Sequence, residues 1–238
     1  MKPGLFSVAG AAGIGVPRRR PDAESKVTGA FEYATDVTAP DMLWGATHRS
    51  KHPYARILRV NLEPARSMPG VVAVLGAWDV PSNSFGMIVS DTPVLADDYV
   101  RYVGEPIAIV AATDPVLARR AAAAIEVEYE VLTPVLDPMD ALEAGAVYRH
   151  VKFTHGDPEA QGDVQAEGEY VTARQDHAFL APDAGLARPD GKGGVEIIGA
   201  AQWVHAERPQ IAAALGLPDE RVLVTNSGVG GAFGGRVS

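Results

Sequence analysis

The sequence contains no cysteine among its 238 residues. A chain without cysteine cannot ligate an iron–sulfur cluster, form a disulfide or use a thiol nucleophile. Basic residues are also scarce: 21 lysines and arginines are outnumbered by 30 aspartates and glutamates, and the net charge of −9 has the wrong sign for a nucleic-acid-binding protein. No apolar run approaches the length of a membrane span. These absences indicate a globular protein for which neither a nucleic acid nor a membrane is the expected partner.

The N-terminal segment, 1–24, contains the basic cluster Arg18-Arg19-Arg20. Small apolar residues precede these arginines and only Lys2 lies ahead of them, which reverses the order of a secretory signal. We interpret the segment as a flexible tail that is solvated or lies against a partner. The absence of cysteine is compatible with the cytoplasmic location that we expect.

Residues 25–138 alternate the patterns of strands and helices. Four segments have the apolar pattern of strands: 42–50, 71–80, 105–113 and 126–132. Asp114 and Pro115 supply an N-cap and an N1 proline for a helix over the following VLARRAAAAIE. The sequence therefore predicts an α+β domain over 25–138.

A connector over 139–164 is richer in proline, glycine and aspartate, and a short helix is predicted near Met139 to Glu143. The second region, 165–238, has patterns for three further elements: a strand over 195–204, a helix over 207–216 closed by Gly216, and a strand over 221–227. These are opening elements of a domain, and we expect their hydrophobic faces to need another chain or a continuation.

The stretch GVGGAFGGRVS, 228–238, places five glycines around Phe233. It fails the dinucleotide fingerprint because Phe233 takes the place of the third glycine, and it fails the P-loop pattern because Arg236 and Val237 follow the glycines. A surface loop or bulge stays possible, since glycine tolerates positive φ. The alternative is a loop whose main-chain N–H groups hold an oxyanion or a metal-oxo group. Phe233 favours this alternative, because an aromatic residue is costly in a merely flexible loop.

Ordered motifs extend along both regions. Four lie in the first: SKVTGAFEYATDV (25–37), SKHPYARILRV (50–60), PGVVAVLGAWDVP (69–81) and VRYVGEPIAIVAA (100–112). Three lie in the second: GEYVTARQDHAFLAP (168–182), AAQWVHAERPQIAAALGLPDERVLV (200–224) and GVGGAFGGR (228–236). Together they resemble the molybdenum-binding large subunit of the xanthine dehydrogenase and aldehyde oxidase family, most strongly its bacterial purine-type members. The first set is similar to the family's α/β hammerhead domain, and the second to the opening of its molybdopterin-binding domain.

The resemblance implies a molybdenum hydroxylase that oxidises a carbon of a purine, another small N-heteroaromatic compound or an aldehyde, with water as the oxygen source. It implies that Gln202 approaches the molybdenum-oxo group, that Phe233 and Gly234 approach the metal's ligands, and that Gly231 and Ala232 lie at the pterin. No residue of this chain is expected to ligate the metal directly. The implied cofactor is molybdopterin with molybdenum, in the cytosine dinucleotide form. Electrons would leave through a 2Fe-2S subunit and an FAD subunit, which agrees with the absence of cysteine here.

Several departures from the family pattern bear on these expectations. The family usually has Gly-Gly-Gly-Phe-Gly-Gly-Lys-Glu, so that Arg236 replaces the lysine, and Val237 replaces the glutamate that often holds a purine. Val237 is therefore the candidate substrate position. Ala181 replaces a glutamate of the family's His-Ala-x-x-Glu-Pro stretch. The family's base glutamate lies beyond residue 238, so we expect no catalytic residue in this chain and a partner chain that carries the rest of the molybdenum domain.

Histidines give weaker signals. His177 lies near Asp176 and Asp183 in sequence, which is compatible with an acid–base pair, but a structural role is favoured. His150 and His155 are five residues apart and have no convincing further ligand for a metal.

Two functions stay open at this point. In the first, the chain is a component of a molybdenum hydroxylase, which Gln202 and GGAFGG favour. In the second, it is a non-catalytic remnant or assembly module that keeps the hammerhead fold, which Val237 and the missing base favour for the isolated chain.

Overall fold

The structure, a computed structural model, describes residues 18–160 and 162–236. The first half of the chain opens with a short helix, α1 (Ala23–Val27). The elements that follow are β1 (Trp44–Arg49), β2 (Ala55–Asn61), α2 (Glu63–Arg66), β3 (Val71–Gly76), β4 (Tyr99–Val100), β5 (Pro106–Ala112), α3 (Pro115–Ala124) and β6 (Glu126–Val131). This mixture of helices and strands confirms the predicted α+β class.

These strands form two antiparallel sheets of three strands each, with the orders β1-β5-β3 and β4-β2-β6. Helix α3 packs against β1 and β5. The carboxylate of Asp114 accepts hydrogen bonds of 2.9 Å from the main-chain N–H groups of Val116 and Leu117, and Pro115 occupies N1, where no N–H is needed. The predicted cap and helix are therefore confirmed.

The hydrophobic core of this half lies between α3 and the β1-β5-β3 sheet. Val74 and Val110 of the sheet are at most 3% exposed, and they pack with Ala121 and Ile125 from the helix side. Alanines on the inner face of α3 keep the helix close to the strands, because they occupy little space. A second cluster joins the two sheets through Ile57, Val100 and Ile107.

The second half of the chain opens with α4 (Pro138–Glu143), as predicted, and the described residues from there to 184 form no further helix or strand. Strands β7 (Gly185–Pro189), β8 (Val195–Gly199) and β9 (Val222–Asn226) form a third sheet, and α5 (Val204–Leu215) packs against β9. Strands β7 and β8 are antiparallel, whereas β8 and β9 are parallel. The left-handed conformation of Gly216, with φ of 65°, ends α5 at the predicted residue.

Two predicted strands are too long. The segment 71–80 leaves the sheet at Gly76, because the Asp79 carboxylate accepts a 2.9 Å hydrogen bond from the Gly76 N–H and closes a 3₁₀ turn. The segment 195–204 leaves the sheet at Gly199, and α5 already begins at Val204.

Loop 81–95 of the first half packs on α5 of the second half. The Gly86 N–H donates a 2.9 Å hydrogen bond to the side-chain oxygen of Gln210. Asn83 exchanges two hydrogen bonds with the main chain of Leu95, at 2.8 and 2.9 Å, which close the base of the loop. Over the part of the chain that the structure describes, no helix has both the length and the apolar character needed to cross a bilayer.

Candidate functional site

The glycine loop, residues 228–236, follows directly from β9 at one edge of the third sheet. Because β8 and β9 are parallel, both end at this edge, where ligands of open α/β sheets commonly bind. Two hydrogen bonds tie the outgoing segments together: the Ser227 N–H donates to the Gly199 carbonyl at 3.0 Å, and the Asn226 side chain donates to the Ala201 carbonyl at 2.8 Å. The loop that carries Gln202 therefore lies beside the glycine loop.

Three glycines of the loop are needed for space. A Cβ on Gly228 would lie 2.3 Å from the Phe31 ring, and one on Gly230 would lie 2.2 Å from the Cβ of Ala181. A Cβ on Gly235 would lie 2.7 Å from the Phe179 ring. Any side chain at these positions would force the loop away from its neighbours.

Two aromatic side chains from the N-terminal half pack against this loop. Phe31 faces Gly228 and Tyr33 faces Gly230, and the two rings meet edge to face with centroids 4.9 Å apart. The ammonium group of Lys26 lies 4.6 Å from the centre of the Phe31 ring. The segment after α1 is thus part of the wall that shapes the glycine loop.

Phe233 lies in the loop with a positive φ of 48° and is 76% exposed. A bulky residue in the left-handed region is uncommon, and an exposed apolar ring contributes little to folding. Gly231 and Gly234 beside it have φ of 110° and 88°, which glycine adopts without steric cost. The loop therefore presents an aromatic ring to the outside on a backbone that the surroundings hold in place.

The main-chain N–H groups of this loop are mostly without acceptors. Gly228 donates to the Asn226 side chain at 2.8 Å, and Gly235 donates to the Ala232 carbonyl at 2.8 Å. Between them, the N–H groups of residues 229–234 donate to no acceptor within 18–160 or 162–236. Successive free N–H groups on a backbone with positive-φ residues form a site for an anion or an oxo group. The geometry fits the kind of group that the sequence analysis expects here.

Arg236 fixes the far end of the loop from a buried position, with 6% of its surface exposed. Its guanidinium lies 4.2 Å from the centre of the Phe179 ring, Nη2 donates to the Ala181 carbonyl, and Nε lies 3.3 Å from a carboxylate oxygen of Asp183. Nη1 has no hydrogen-bond partner among the residues described. The arginine thus holds the glycine loop against residues 179–183.

Gln202 is exposed in the short segment between β8 and α5, and its side chain makes no hydrogen bond within the described ranges. The next residue, Trp203, donates its N–H to the Glu207 carboxylate at 3.1 Å, which fixes the start of α5. The structure thus brings Gln202 to the same sheet edge as Gly231, Ala232, Phe233 and Gly234. Val237 lies outside the described residues.

His177 does not form a hydrogen-bonded acid–base pair with Asp176 or Asp183 in the structure. His177 packs against Gly234 and Gly235, Asp176 accepts a 3.3 Å hydrogen bond from the Ala178 N–H, and Asp183 pairs with Arg236. Both aspartates are thus engaged elsewhere. In the described part of the chain, no group of three or more histidines and carboxylates is placed to hold a metal ion.

Three aromatic residues of the site were not predicted from the sequence: Phe31, Tyr33 and Phe179. Each of them packs on a loop glycine, and Phe179 also lies under Arg236. Phe31 and Tyr33 belong to the FEY triplet of the first quoted motif, and Phe179 belongs to the first motif of the second region. Their occurrence in motifs was a signal, but their contact with the glycine run was not visible in the sequence.

Comparison with known families matches both halves of the chain. The family described as aldehyde oxidase and xanthine dehydrogenase, a/b hammerhead domain, matches residues 28–133. The family described as molybdopterin cofactor-binding domain matches residues 142–238. The glycine loop, Gln202 and Arg236 all lie within the second match.

Similar proteins and structures agree with these matches. A probable xanthine dehydrogenase subunit of Bacillus subtilis is 38% identical over 92% of this chain, which spans 31% of that protein. The nicotinate dehydrogenase large molybdopterin subunit of Eubacterium barkeri is 36% identical over 94% of this chain and 56% of its own length. The aldehyde oxidoreductase of Desulfovibrio desulfuricans superposes with a TM-score of 0.82 at 28% identity, over 92% of this chain and 27% of the other. The chain thus spans about a third to just over half of these curated relatives.

Proposed function

We propose that this chain, which belongs to the aldehyde oxidase and xanthine dehydrogenase family, forms one wall of a molybdenum–molybdopterin site in a hydroxylase. Its α/β hammerhead domain is followed by residues of a molybdopterin cofactor-binding domain. When bound, the molybdenum–molybdopterin group supplies two-electron oxidation of a substrate carbon, with water as the oxygen source. The domain bounds that we propose are 25–138 for the hammerhead domain, 139–164 for the connector and 165–238 for the cofactor-binding part.

The free N–H groups of residues 229–234 carry this proposal. They would donate to oxygen or sulfur atoms of the bound group, because the loop has no other acceptor for them among the described residues. Gly231 and Ala232 would face the pterin, and the Phe233–Gly234 segment would lie beside the ligands of the metal. In this arrangement the positive φ of Phe233 turns its ring outward while its backbone stays close to the bound group.

Gln202 would supply a side-chain amide to the same group. Its carboxamide is exposed and makes no hydrogen bond to any residue that the structure describes, so binding would break no existing contact. Val237, as the residue that follows Arg236, would contact the substrate. An aliphatic side chain there cannot form the hydrogen bonds that a carboxylate makes with a purine, which favours another N-heteroaromatic compound or an aldehyde.

Residues beyond those of this sequence would complete the site. We propose that the base glutamate and most pterin contacts come from the rest of the molybdenum domain, carried by a partner chain or by a continuation of this one. The cofactor would be the cytosine dinucleotide form, and electrons would pass to a 2Fe-2S subunit and an FAD subunit. We propose that this assembly is cytoplasmic.

The test is to purify the tagged chain with its bound partners and to measure molybdenum and pterin per chain. About one molybdenum and one pterin per complex with a second polypeptide would support the proposal. A stable complex free of both would overturn it and favour the alternative of a non-catalytic assembly module.

Variants assign the roles within that complex. Gln202→Ala should lower turnover by at least about tenfold, the equivalent of 1.4 kcal/mol, while the complex and its pterin content persist. Glu143→Ala is the control, since Glu143 is an exposed residue at the end of α4, outside the glycine loop and the strands that lead to it. Equal turnover of both variants would reject the role of Gln202.

A further inference from the structure

A basic groove runs along β1 of the first sheet, far in sequence from the glycine loop. It encloses about 490 Å³, and its walls are consecutive residues of β1 on one side and the second half of α3 on the other. Three cationic side chains line it: Arg49, Lys51 and Arg119. In a chain with a net charge of −9, these three cations form a local basic patch that attracts anionic groups.

The cations of this groove are not neutralised within the part of the chain described. Elsewhere in the same half, Arg56, Arg59 and Arg66 each lie within 4.0 Å of a carboxylate. By contrast, Arg49 donates only to the Gly104 carbonyl, at 2.8 Å, and no described carboxylate pairs with Lys51 or Arg119. The groove therefore has unbalanced charge, and this favours an anionic occupant.

The groove also follows an open strand edge. In the order β1-β5-β3, strand β1 pairs with β5 on one side and with no other described strand. Its other edge retains main-chain donors and acceptors that can pair with an added strand. Residues 45–49 line the groove consecutively, from both faces of the strand, so the cavity runs along the edge rather than across one face.

Beside β1, the face of the sheet that lies away from the basic groove is apolar. A second cavity, of about 260 Å³, shares Gly45, Ala46 and Thr47 with the basic groove and is otherwise lined by residues such as Leu75 and Ile109. Each of these two side chains is 40% exposed. A strand added beside β1 would place alternate side chains in the basic groove and over this apolar face.

We propose that the edge of β1 binds an extended segment of a partner polypeptide in which acidic and aliphatic residues alternate. The chain itself contains such a pairing: β6, with the sequence EVEYEV, lies against β2 and places Glu128 and Glu130 near Arg59 and Arg56. Charge complementarity and the two-sided character of the edge select this pattern over a neutral or basic strand. This site is separate from the proposed cofactor site and does not depend on it.

The test uses the full chain and a fluorescein-labelled peptide, Gly-Glu-Val-Glu-Val-Glu-Val-Gly, with binding followed by fluorescence anisotropy at low salt. We expect saturable binding that weakens as salt increases, since ion pairs at a surface are screened. The same peptide with lysine in place of glutamate should not bind. A lack of saturable binding by the glutamate peptide would overturn the proposal.

Substitutions separate this site from general charge attraction. Arg119→Glu and Lys51→Glu should each weaken binding by about fivefold or more, which corresponds to about 1 kcal/mol at an exposed ion pair. Arg120→Glu is the matched control, because Arg120 is an exposed neighbour on the same helix that does not line the groove, and it should change binding by less than about twofold. Equal weakening by Arg119→Glu and Arg120→Glu would refute the site.

A backbone-modified peptide tests the strand pairing. N-methylation of alternate peptide bonds on the β1-facing edge removes the donors that a strand needs and keeps every charge. Binding should fall by about tenfold or more, the equivalent of about 1.4 kcal/mol. Unchanged binding would show attraction by charge alone and would overturn the strand addition.

Discussion

Replacing Arg236 by lysine should loosen the glycine loop even though the charge is kept. A lysine ammonium can donate to the Ala181 carbonyl or approach Asp183, but it cannot also lie flat on Phe179, where the guanidinium is 4.2 Å from the ring centre. Loss of a desolvated cation–π contact costs about 1–2 kcal/mol, and a weaker charged hydrogen bond adds to this. We expect the free energy of opening of the loop to fall by about 2 kcal/mol, which raises the opening equilibrium about thirtyfold.

Amide hydrogen exchange at Ser227 and Gly235 measures this opening, because their N–H groups donate to the Gly199 and Ala232 carbonyls in the structure and opening of the loop is expected to break these bonds. Arg188→Lys is the matched control: Arg188 pairs with Glu196 at 2.7 Å on the surface of the same sheet, and its replacement should change exchange of these amides by less than about threefold. If the Ser227 and Gly235 amides exchange at the same rate in the Arg236→Lys and Arg188→Lys variants, the planar contact with Phe179 does not hold the loop and the reasoning is refuted.

Three further predictions concern packing, capping and pH. Gly230→Ala should displace the loop from Ala181 and lower the thermal stability of the protein, because the new Cβ would lie 2.2 Å from that side chain. Gly45→Ala is the control, since a Cβ there meets nothing within 4 Å and should not destabilise the protein. Thermal unfolding of both variants measures the difference. Asp114→Ala should lower the free energy of unfolding by about 1 kcal/mol through loss of the α3 cap, whereas exposed Asp91→Ala should leave the denaturant midpoint nearly unchanged. Hydrogen bonds from the Lys192 and Gly194 N–H groups lower the pKa of Asp190. The ionised carboxylate therefore stabilises the folded protein. This contribution is complete above the ordinary carboxyl pKa of about 4 and is lost as the pH falls through the lowered pKa. A carbon-13 NMR titration in which Asp190 has an ordinary pKa would contradict this assignment.

Local signals in the sequence predicted the elements that depend on local chemistry. Asp114 and Pro115 fix the start of α3, and Gly216 fixes the end of α5, because caps act within one helical turn. Strands β2 and β7 were not predicted from the sequence. Strand β2 mixes charged and apolar residues and depends on β6 for its pairing, and β7 contains both glycine and proline, so neither has a strong pattern of its own.

The candidate site was predictable only in part, because local sequence signals do not report contacts between distant segments. The glycine run and Gln202 were recognised from motifs, and the parallel pairing of β8 with β9 explains why they lie at one edge. The packing of Phe179 under Arg236 and of Phe31 on Gly228 joins distant segments, which no periodicity reports.

The packing of Phe31 on Gly228 also has a consequence for the order of folding. The two residues are about two hundred positions apart, and at a translation rate of about 5–20 residues per second Phe31 precedes Gly228 by roughly 10–40 s. Helix α3 and its sheet have all their residues well before that moment, so the first half can fold while Phe31 and Tyr33 stay without their final neighbours. We therefore expect the glycine loop to acquire its shape in a late step that joins the two halves of the chain.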